Sequence, residues 1–458
     1  MEDIIKILEK QKSFFRTGKT RDLHFRQEAL RKLEQVILEA EQEMLEALAQ
    51  DLGKPEFEGY STDIGPILGD IKYMLKNLEE LVRPRKVRTP LALAGGSGRI
   101  LPQPLGVVLI MAPWNYPFQL LFRPLIGAVA AGNCVVLKPS EHAPLCSAVS
   151  RRLIEDAFPA EHVALIEGGV EEGAALLEQK FDCIFFTGGT SMGRTVMKAA
   201  ARHLTPTVLE LGGKSPCIVE PDINLKLSAR RIAWGKFLNA GQTCVAPDYL
   251  LVNTRIKEPL IEEMQHAINI FYGANPQESP DYARIVNDIH FQRLTGLMKD
   301  GQIIYGGQTD QESRYIAPTL IEGVDWTDPI MGEEIFGPLL PILEYEDLDE
   351  TLDMISEQPK PLALYLFTDD QITQKKVVRM TSSGGVCIND TVSHLLPHDL
   401  PFGGVGESGK GSYHGDASFH CFSHSRSIFR NSTRFDLKEK YPPYRITLKK
   451  LKSLLRFM

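Results

Sequence analysis

The sequence predicts an α/β protein made of two parallel-sheet domains and a small β arm, and three observations carry that expectation. Short apolar runs alternate with helix-length segments from 105 to 211, and a second alternation of the same kind starts at Pro216. The segment 86–104, with its prolines and a Gly-Gly pair, fits neither pattern and reads as an extended hairpin or arm.

Composition bounds the rest. A chain of 458 residues, 43% hydrophobic and 24% charged, has the apolar content for two or three domains at about one per 150 residues and is not a disordered chain. Lys and Arg total 51 against 59 Asp and Glu, a net charge of −8, so a nucleic-acid backbone is not the default partner. Seven cysteines without CxxC spacing suit a reducing cytoplasm rather than a disulfide scaffold or a metal cluster. The N-terminus has acids early and no cleavage pattern, so it does not read as a signal peptide. The apolar run 105–112 is stopped by Pro113, far short of the roughly 20 residues that span a bilayer.

Taken in chain order, residues 22–52 repeat Leu23, Leu30, Leu33, Ile37, Met44, Leu45 and Leu48 at helical spacing until Gly53 and Pro55 stop them. A strand at 106–111 leads to a helix at 118–131 closed by Gly132, then to a strand at 134–137. Helices near 145–157 and 171–179 precede strands at 163–166 and 182–186. The second alternation contains strands at 216–219, 249–252, 363–367 and 386–389.

In an open parallel sheet, ligands bind beyond the carboxyl ends of the strands. After the first strand come Trp114 and Asn115; after the second, Lys138 and Glu141; after the fourth, Gly188, Gly189 and Gly193. A Lys–Glu pair suits ribose hydroxyls, and a glycine-rich turn that opens a helix presents backbone N–H groups to a phosphate. The spacing differs from G-x-G-x-x-G, so the turn taken alone has a structural as well as a cofactor reading.

Cys244, in Asn239-Ala240-Gly241-Gln242-Thr243-Cys244, stands in a loop among Gly, Thr and Pro, where reactive cysteines are found. The other six lie among apolar or aromatic neighbours as core residues do. Glu210 ends an apolar run before two glycines. It reads either as a salt-bridged structural acid or as a buried general base with a raised pKa, and a cysteine nucleophile in the same chain favours the second. The turn Gly332-Glu333-Glu334-Ile335-Phe336-Gly337-Pro338 decides nothing alone.

These residues together resemble the aldehyde dehydrogenases: Pro113 to Phe118, Glu210 to Pro216, Gly241 to Cys244, Glu334 to Pro338 and Pro401 to Gly404 occur in the family's order. Asp51 to Glu56, Trp234 to Phe237, Val245 to Tyr249, Gly411 to Gly415 and Tyr441 to Pro443 are similar to the class 3 branch, acting on fatty and aromatic aldehydes. The resemblance implies a Rossmann-type dinucleotide-binding domain (1–85 and 105–210), a catalytic domain (211–415), an oligomerisation arm (86–104 and 416–436) and a basic tail (437–458). It implies Cys244 as nucleophile, Glu210 as general base and Asn115 as oxyanion donor. For NAD or NADP it implies Trp114, Lys138, Glu141, Gly188, Gly189, Gly193, Leu211, Glu334 and Phe336, and for the aldehyde Trp234 and Tyr60. No metal is expected.

The implied reaction is NAD(P)-dependent oxidation of a medium- or long-chain aliphatic or an aromatic aldehyde to its acid through a thiohemiacetal and thioester. Acyl transfer to coenzyme A, and a non-catalytic protein on the same fold, are the alternatives; Glu210 favours water as the acyl acceptor. His414, in Ser412-Tyr413-His414-Gly415, has no role on this route. A cytoplasmic homodimer is expected. The tail, with seven basic residues against one acid, reads as an amphipathic helix that docks on the body or a partner rather than on a membrane surface.

Overall fold

The computed structural model describes residues 2–90, 93, 95–434, 436 and 438–455; Arg456 and Met458 of the tail lie outside them. Strands β1 (Arg85–Val87) and β2 (Ser97–Pro104) precede β3 (Val107–Met111), β4 (Cys134–Lys138), β5 (Val163–Leu165), β6 (Cys183–Thr187) and β7 (Thr207–Glu210). Then come β8 (Pro216–Val219), β9 (Tyr249–Asn253), β10 (Gln302–Tyr305), β11 (Thr309–Asp310), β12 (Tyr315–Ile316), β13 (Thr319–Glu322) and β14 (Leu339–Tyr345). The last four are β15 (Ala363–Phe367), β16 (Gly385–Ile388), β17 (Gly409–Lys410) and β18 (Ser423–Arg430).

The apolar runs of 105–211 form one sheet in the order β17-β7-β6-β3-β4-β5. Its five N-terminal strands are parallel and almost wholly buried, as strands covered on both faces must be. Order reverses at β3, so the segments leaving β3 and β6 flank the switch point where such sheets take a ligand. The short β17 joins antiparallel to β7, so residues 409–410, in the stretch read as the second domain, lie on the edge of the first sheet.

Packing explains the helix Gln119–Ala131, in which all but Gln119 are buried. It runs under helix Gly65–Leu81 and against Gly415–Cys421, and a Cβ on Gly127 would stand 2.6 Å from the Ser418 carbonyl oxygen. The helix at 415–421 is therefore part of the body, and the arm begins after it. Residues 22–52 form two helices, Leu23–Glu39 and Glu41–Leu52, broken at Ala40 and ended by Gly53 at φ 60°. An N-terminal helix, Glu2–Arg16, is tied to β4 by the Gln11 amide donating to the Val135 carbonyl at 2.8 Å.

The second sheet has the order β10-β13-β14-β9-β8-β15-β16, parallel except for β10. Its member β14 contains Pro341, which is the last residue paired with β13; pairing with β9 begins at Ile342. A proline without an N–H thus falls where the strand changes partner, which is how a central strand tolerates it. The arm is the antiparallel sheet β1-β2-β18, with β18 exposed along nearly its full length. In the tail helix Leu448–Leu455, Leu448 and Leu451 are 65% and 38% exposed. These two leucines of the expected stripe are therefore not docked on the body; the side chains of Leu454 and Leu455, and Met458, lie outside the described residues.

Candidate active site

Between the carboxyl ends of the first sheet's strands and the segments that enter the strands of the second lies a cavity of about 600 Å³, within the range of small-molecule and cofactor sites. Cys244, Glu210, Asn115, Trp114, Gly188, Gly189, Leu211, Glu334 and Phe336 all line it. The chain brings them from five segments: the loops after β3 and β6, the end of β7 with the loop that follows it, the loop before β9, and the turn before β14.

The loop of Cys244 is built on strain and then pinned. Asn239, Ala240 and Gly241 follow one another at φ 53°, 51° and 74°, a left-handed run that only glycine adopts freely. A Cβ at Gly241 would sit 2.2 Å from the Gly337 carbonyl oxygen. The fully buried Gln242 holds the turn, donating to the carbonyls of Asn239 (3.0 Å) and Arg284 (2.9 Å) and accepting from the Val286 N–H at 3.0 Å. Asn115 Nδ2 donates to the Gln242 carbonyl at 3.0 Å, which leaves the second N–H of that amide available. Cys244 emerges partly accessible, unlike Cys134, Cys146, Cys183, Cys217 and Cys387.

Three acids sit together here with raised pKa values. Burial pushes Glu210 well above the usual carboxylate range, and neither of its oxygens has a hydrogen-bond partner. Burial also raises the Cys244 thiol, with the nearby charges of Glu334 and Glu210 adding to it. Glu334 is pushed up to about 8 by burial and then by Asp248, against the opposing pull of the Gly213 N–H, Lys214 and Arg293. A raised carboxyl favours the folded state when protonated, and that contribution is lost as pH rises from the unfolded pKa through the folded one. Glu210→Gln is therefore expected to melt at a higher temperature than the parent at neutral and alkaline pH, and the gap should close near pH 4. Thermal unfolding across that range checks it; a gap that widens on acidification would contradict the assignment.

The cofactor side fits a dinucleotide. Helix Thr190–Ala201 opens at Gly189 without a side-chain cap, so its first N–H groups face the cavity rim as a phosphate cradle does. A Cβ on Gly189 meets nothing within 4 Å, and the buried Thr187 hydroxyl lacks a partner. Gly193 does not line the cavity; its Cβ would stand 2.7 Å from Leu211, so it lets the helix press that leucine into the wall. Lys138 and Glu141 also stand outside the lining, at the end of β4. Lys138 Nζ donates to the Pro139 carbonyl at 2.7 Å and lies 3.7 Å from the Glu141 carboxylate.

Residues missed by sequence reasoning fix the turn that carries Glu334 and Phe336. Lys214 Nζ donates to Asp248 (2.6 Å) and to the carbonyls of Ile330 (2.8 Å) and Glu333 (3.1 Å). Asp248 in turn accepts from the Ile335 N–H at 3.0 Å. Arg293 reaches the Glu333 carboxylate at 2.9 Å and the Ile335 carbonyl at 2.5 Å. The Glu334 carboxylate lies over Gly212, where a Cβ would be 2.0 Å from it. Phe336, at φ 50°, meets Trp114 edge-on at 5.4 Å, and Trp114 is flanked at 5.2 Å by His290, whose pKa burial lowers to about 4. Lys214, adjoining the glycine pair, was the one legible signal.

Tyr60 and Trp234 do not reach the cavity. Tyr60 lies back over Gly65 of the following helix, 3.6 Å from where a Cβ would be, and Trp234 is exposed on helix Leu225–Phe237. His414 is buried against Phe402, its ring stacked at 5.1 Å, away from the lining.

Comparison with known proteins places the whole chain in one family. Residues 1–428 match the model of the aldehyde dehydrogenase family. The chain is 48% identical over 97% of its length, and 97% of the relative's, to the 4,4'-diaponeurosporen-aldehyde dehydrogenase of Staphylococcus aureus. It is 45% identical over 97% of its length, and 98% of the relative's, to the mouse (Mus musculus) "Aldehyde dehydrogenase, dimeric NADP-preferring". A solved substrate-bound Staphylococcus aureus AldH superposes with a TM-score of 0.97 at 47% identity, covering 99% of both chains.

Proposed function

The chain belongs to the aldehyde dehydrogenase family and oxidises aldehydes with NAD or NADP; we propose that it does so through an acyl-enzyme on Cys244, with Glu210 as general base and Asn115 as oxyanion donor. The observation that carries this reading is the convergence of these three residues, from separate segments, on one cavity whose rim is a glycine-rich helix start.

The Cys244 thiol, which burial and the neighbouring acids keep protonated at rest, gives its proton to Glu210, whose carboxylate burial makes a stronger base than a free one. The thiolate attacks the aldehyde carbon, and the alkoxide forms where the free N–H of the Asn115 amide and the Cys244 backbone N–H can receive it. NAD or NADP, when bound, supplies the acceptor for the hydride. Glu210 releases the thiol's proton to solvent and then, again as carboxylate, deprotonates the water that cleaves the thioester, giving the free acid and returning Cys244 as the thiolate.

Trp114, Gly188, Gly189, Leu211, Glu334 and Phe336 hold the dinucleotide, with Lys138 and Glu141 serving the adenosine ribose from the end of β4. The substrate is a medium- or long-chain or aromatic aldehyde. Residues 1–85 and 105–210 form the dinucleotide half, and 211–415 the catalytic half apart from β17. The exposed edge of β18 supports a homodimer that covers it, as does the name of the mouse relative. All seven cysteines are free, which suits a cytoplasmic setting.

The test is reduction of NAD and NADP by the purified protein across an aldehyde panel, with free acid formed in the absence of coenzyme A. A strict need for coenzyme A would overturn the hydrolytic reading. Asn115→Ala is expected to lower kcat on the order of 10²-fold with dinucleotide affinity little changed; full turnover in that variant would remove Asn115 from the oxyanion hole.

A further inference from the structure

Behind the oxyanion amide lies an ion pair that the reaction does not itself employ. Lys54 and Asp63 are both 0% exposed in their side chains and meet at 2.8 Å. Lys54 follows Gly53 at the end of helix Glu41–Leu52, and Asp63 stands in the π-helical turn Tyr60–Ile64, a type of turn concentrated at functional sites. Burying two charges brings a desolvation cost that an apolar pair of like volume would avoid, so stability alone does not account for the pair.

Its contacts converge on the segment leaving β3. Lys54 Nζ donates to the Asn115 carbonyl at 3.1 Å and lies 4.1 Å from the centre of the Tyr116 ring. The other Asp63 oxygen accepts from the N–H groups of Phe118 and Gln119, each at 3.2 Å, where helix Gln119–Ala131 starts. Residues 115–119 are thus bracketed from both ends. The far side is tied to the nucleophile's loop: Asn239 Nδ2 also donates to the Asn115 carbonyl at 2.9 Å, Asn115 Nδ2 to the Gln242 carbonyl, and the Tyr116 hydroxyl meets that of Thr243 at 2.6 Å.

We propose that the buried Lys54–Asp63 pair is a positioning element that holds the Asn115 amide in register with Cys244. The inference rests on the reading of Asn115 as oxyanion donor. A misplacement of about 1 Å in such a donor can cost on the order of 10²-fold, which is the scale at which the pair acts. It touches neither the glycine turn nor the Glu334 loop, so its effect falls on the chemical step and not on dinucleotide binding.

Lys54→Met alone strands a buried carboxylate and risks misfolding, so the main variant is Lys54→Met with Asp63→Leu, which removes both charges and retains apolar volume. The expected result is a folded protein with unchanged NADP affinity by equilibrium titration and kcat lowered at least about 10-fold. A larger primary isotope effect with an aldehyde deuterated at C1 should accompany the loss. In an Asn115→Ala background the same double change should lower kcat no further, because the residue it positions is gone. An unimpaired double variant beside an impaired Asn115→Ala would overturn the inference alone, as would equal losses in both backgrounds. Full activity in Asn115→Ala would overturn the oxyanion assignment and the inference with it.

Discussion

Cys244→Ala is expected to abolish aldehyde oxidation, lowering kcat by at least about 10³-fold while NAD and NADP still bind. Among the cysteines, Cys244 lines the cavity; five others are buried, and the Cys421 thiol is turned to the Ser418 carbonyl at 3.3 Å. None can substitute for it. The alanine removes one sulfur from a partly accessible position, so the pinned loop survives, and titration with the dinucleotide separates lost chemistry from lost folding. Because burial and two neighbouring acids raise the thiol, alkylation of the free enzyme should quicken as pH rises and target this residue by mass spectrometry. Wild-type turnover in the variant would leave the proposed route without a nucleophile.

Glu210→Gln is expected to lower steady-state turnover on the order of 10²- to 10⁴-fold, the range that general-base catalysis supplies. The amide matches the carboxylate in shape but cannot take a proton. Acyl-enzyme should form, more slowly than in the parent, and then persist, so that a single equivalent of reduced dinucleotide appears per site before turnover stalls. Hydroxylamine, which attacks a thioester without needing a base, should release the acyl group and restart the cycle. If turnover in this variant stays at the parental rate, water activation belongs to another group.

Much of the architecture was legible because its strands are buried on both faces. The runs at 106–111, 134–137 and 182–186 lie within two residues of β3, β4 and β6 at either end, since strands of a parallel sheet covered on both faces read as short unbroken apolar runs, and these are too short for helices. β14 escaped because Pro341 reads as a break, and only the tertiary arrangement shows that it falls between two ladders. Cys244 and Glu210 stood out because a loop cysteine, or a glutamate closing an apolar run, beside glycines breaks the pattern of core filling, whereas Asn115 was implied by resemblance alone. Asp248 and Arg293 were not, because a clamp is defined by the groups it meets across the fold, and neither a loop carboxylate nor an arginine on helix Asp288–Leu297 carries a local mark of that task; Lys214 was marked only by the glycine pair beside it. Tyr60 and Trp234 were placed from resemblance alone, and their actual orientation depends on how helices 65–81 and 225–237 pack.

The left-handed run at Asn239 and Ala240 has a consequence for how the nucleophile moves. Two residues bearing Cβ atoms occupy a region with few neighbouring minima, so the backbone beneath the sulfur has little room to wander thermally. Glycine at 240 would relieve the steric cost yet enlarge the set of shapes open to the loop. The chain has accepted a less comfortable conformation and gained stillness at the one atom that must meet a carbonyl carbon at a defined angle.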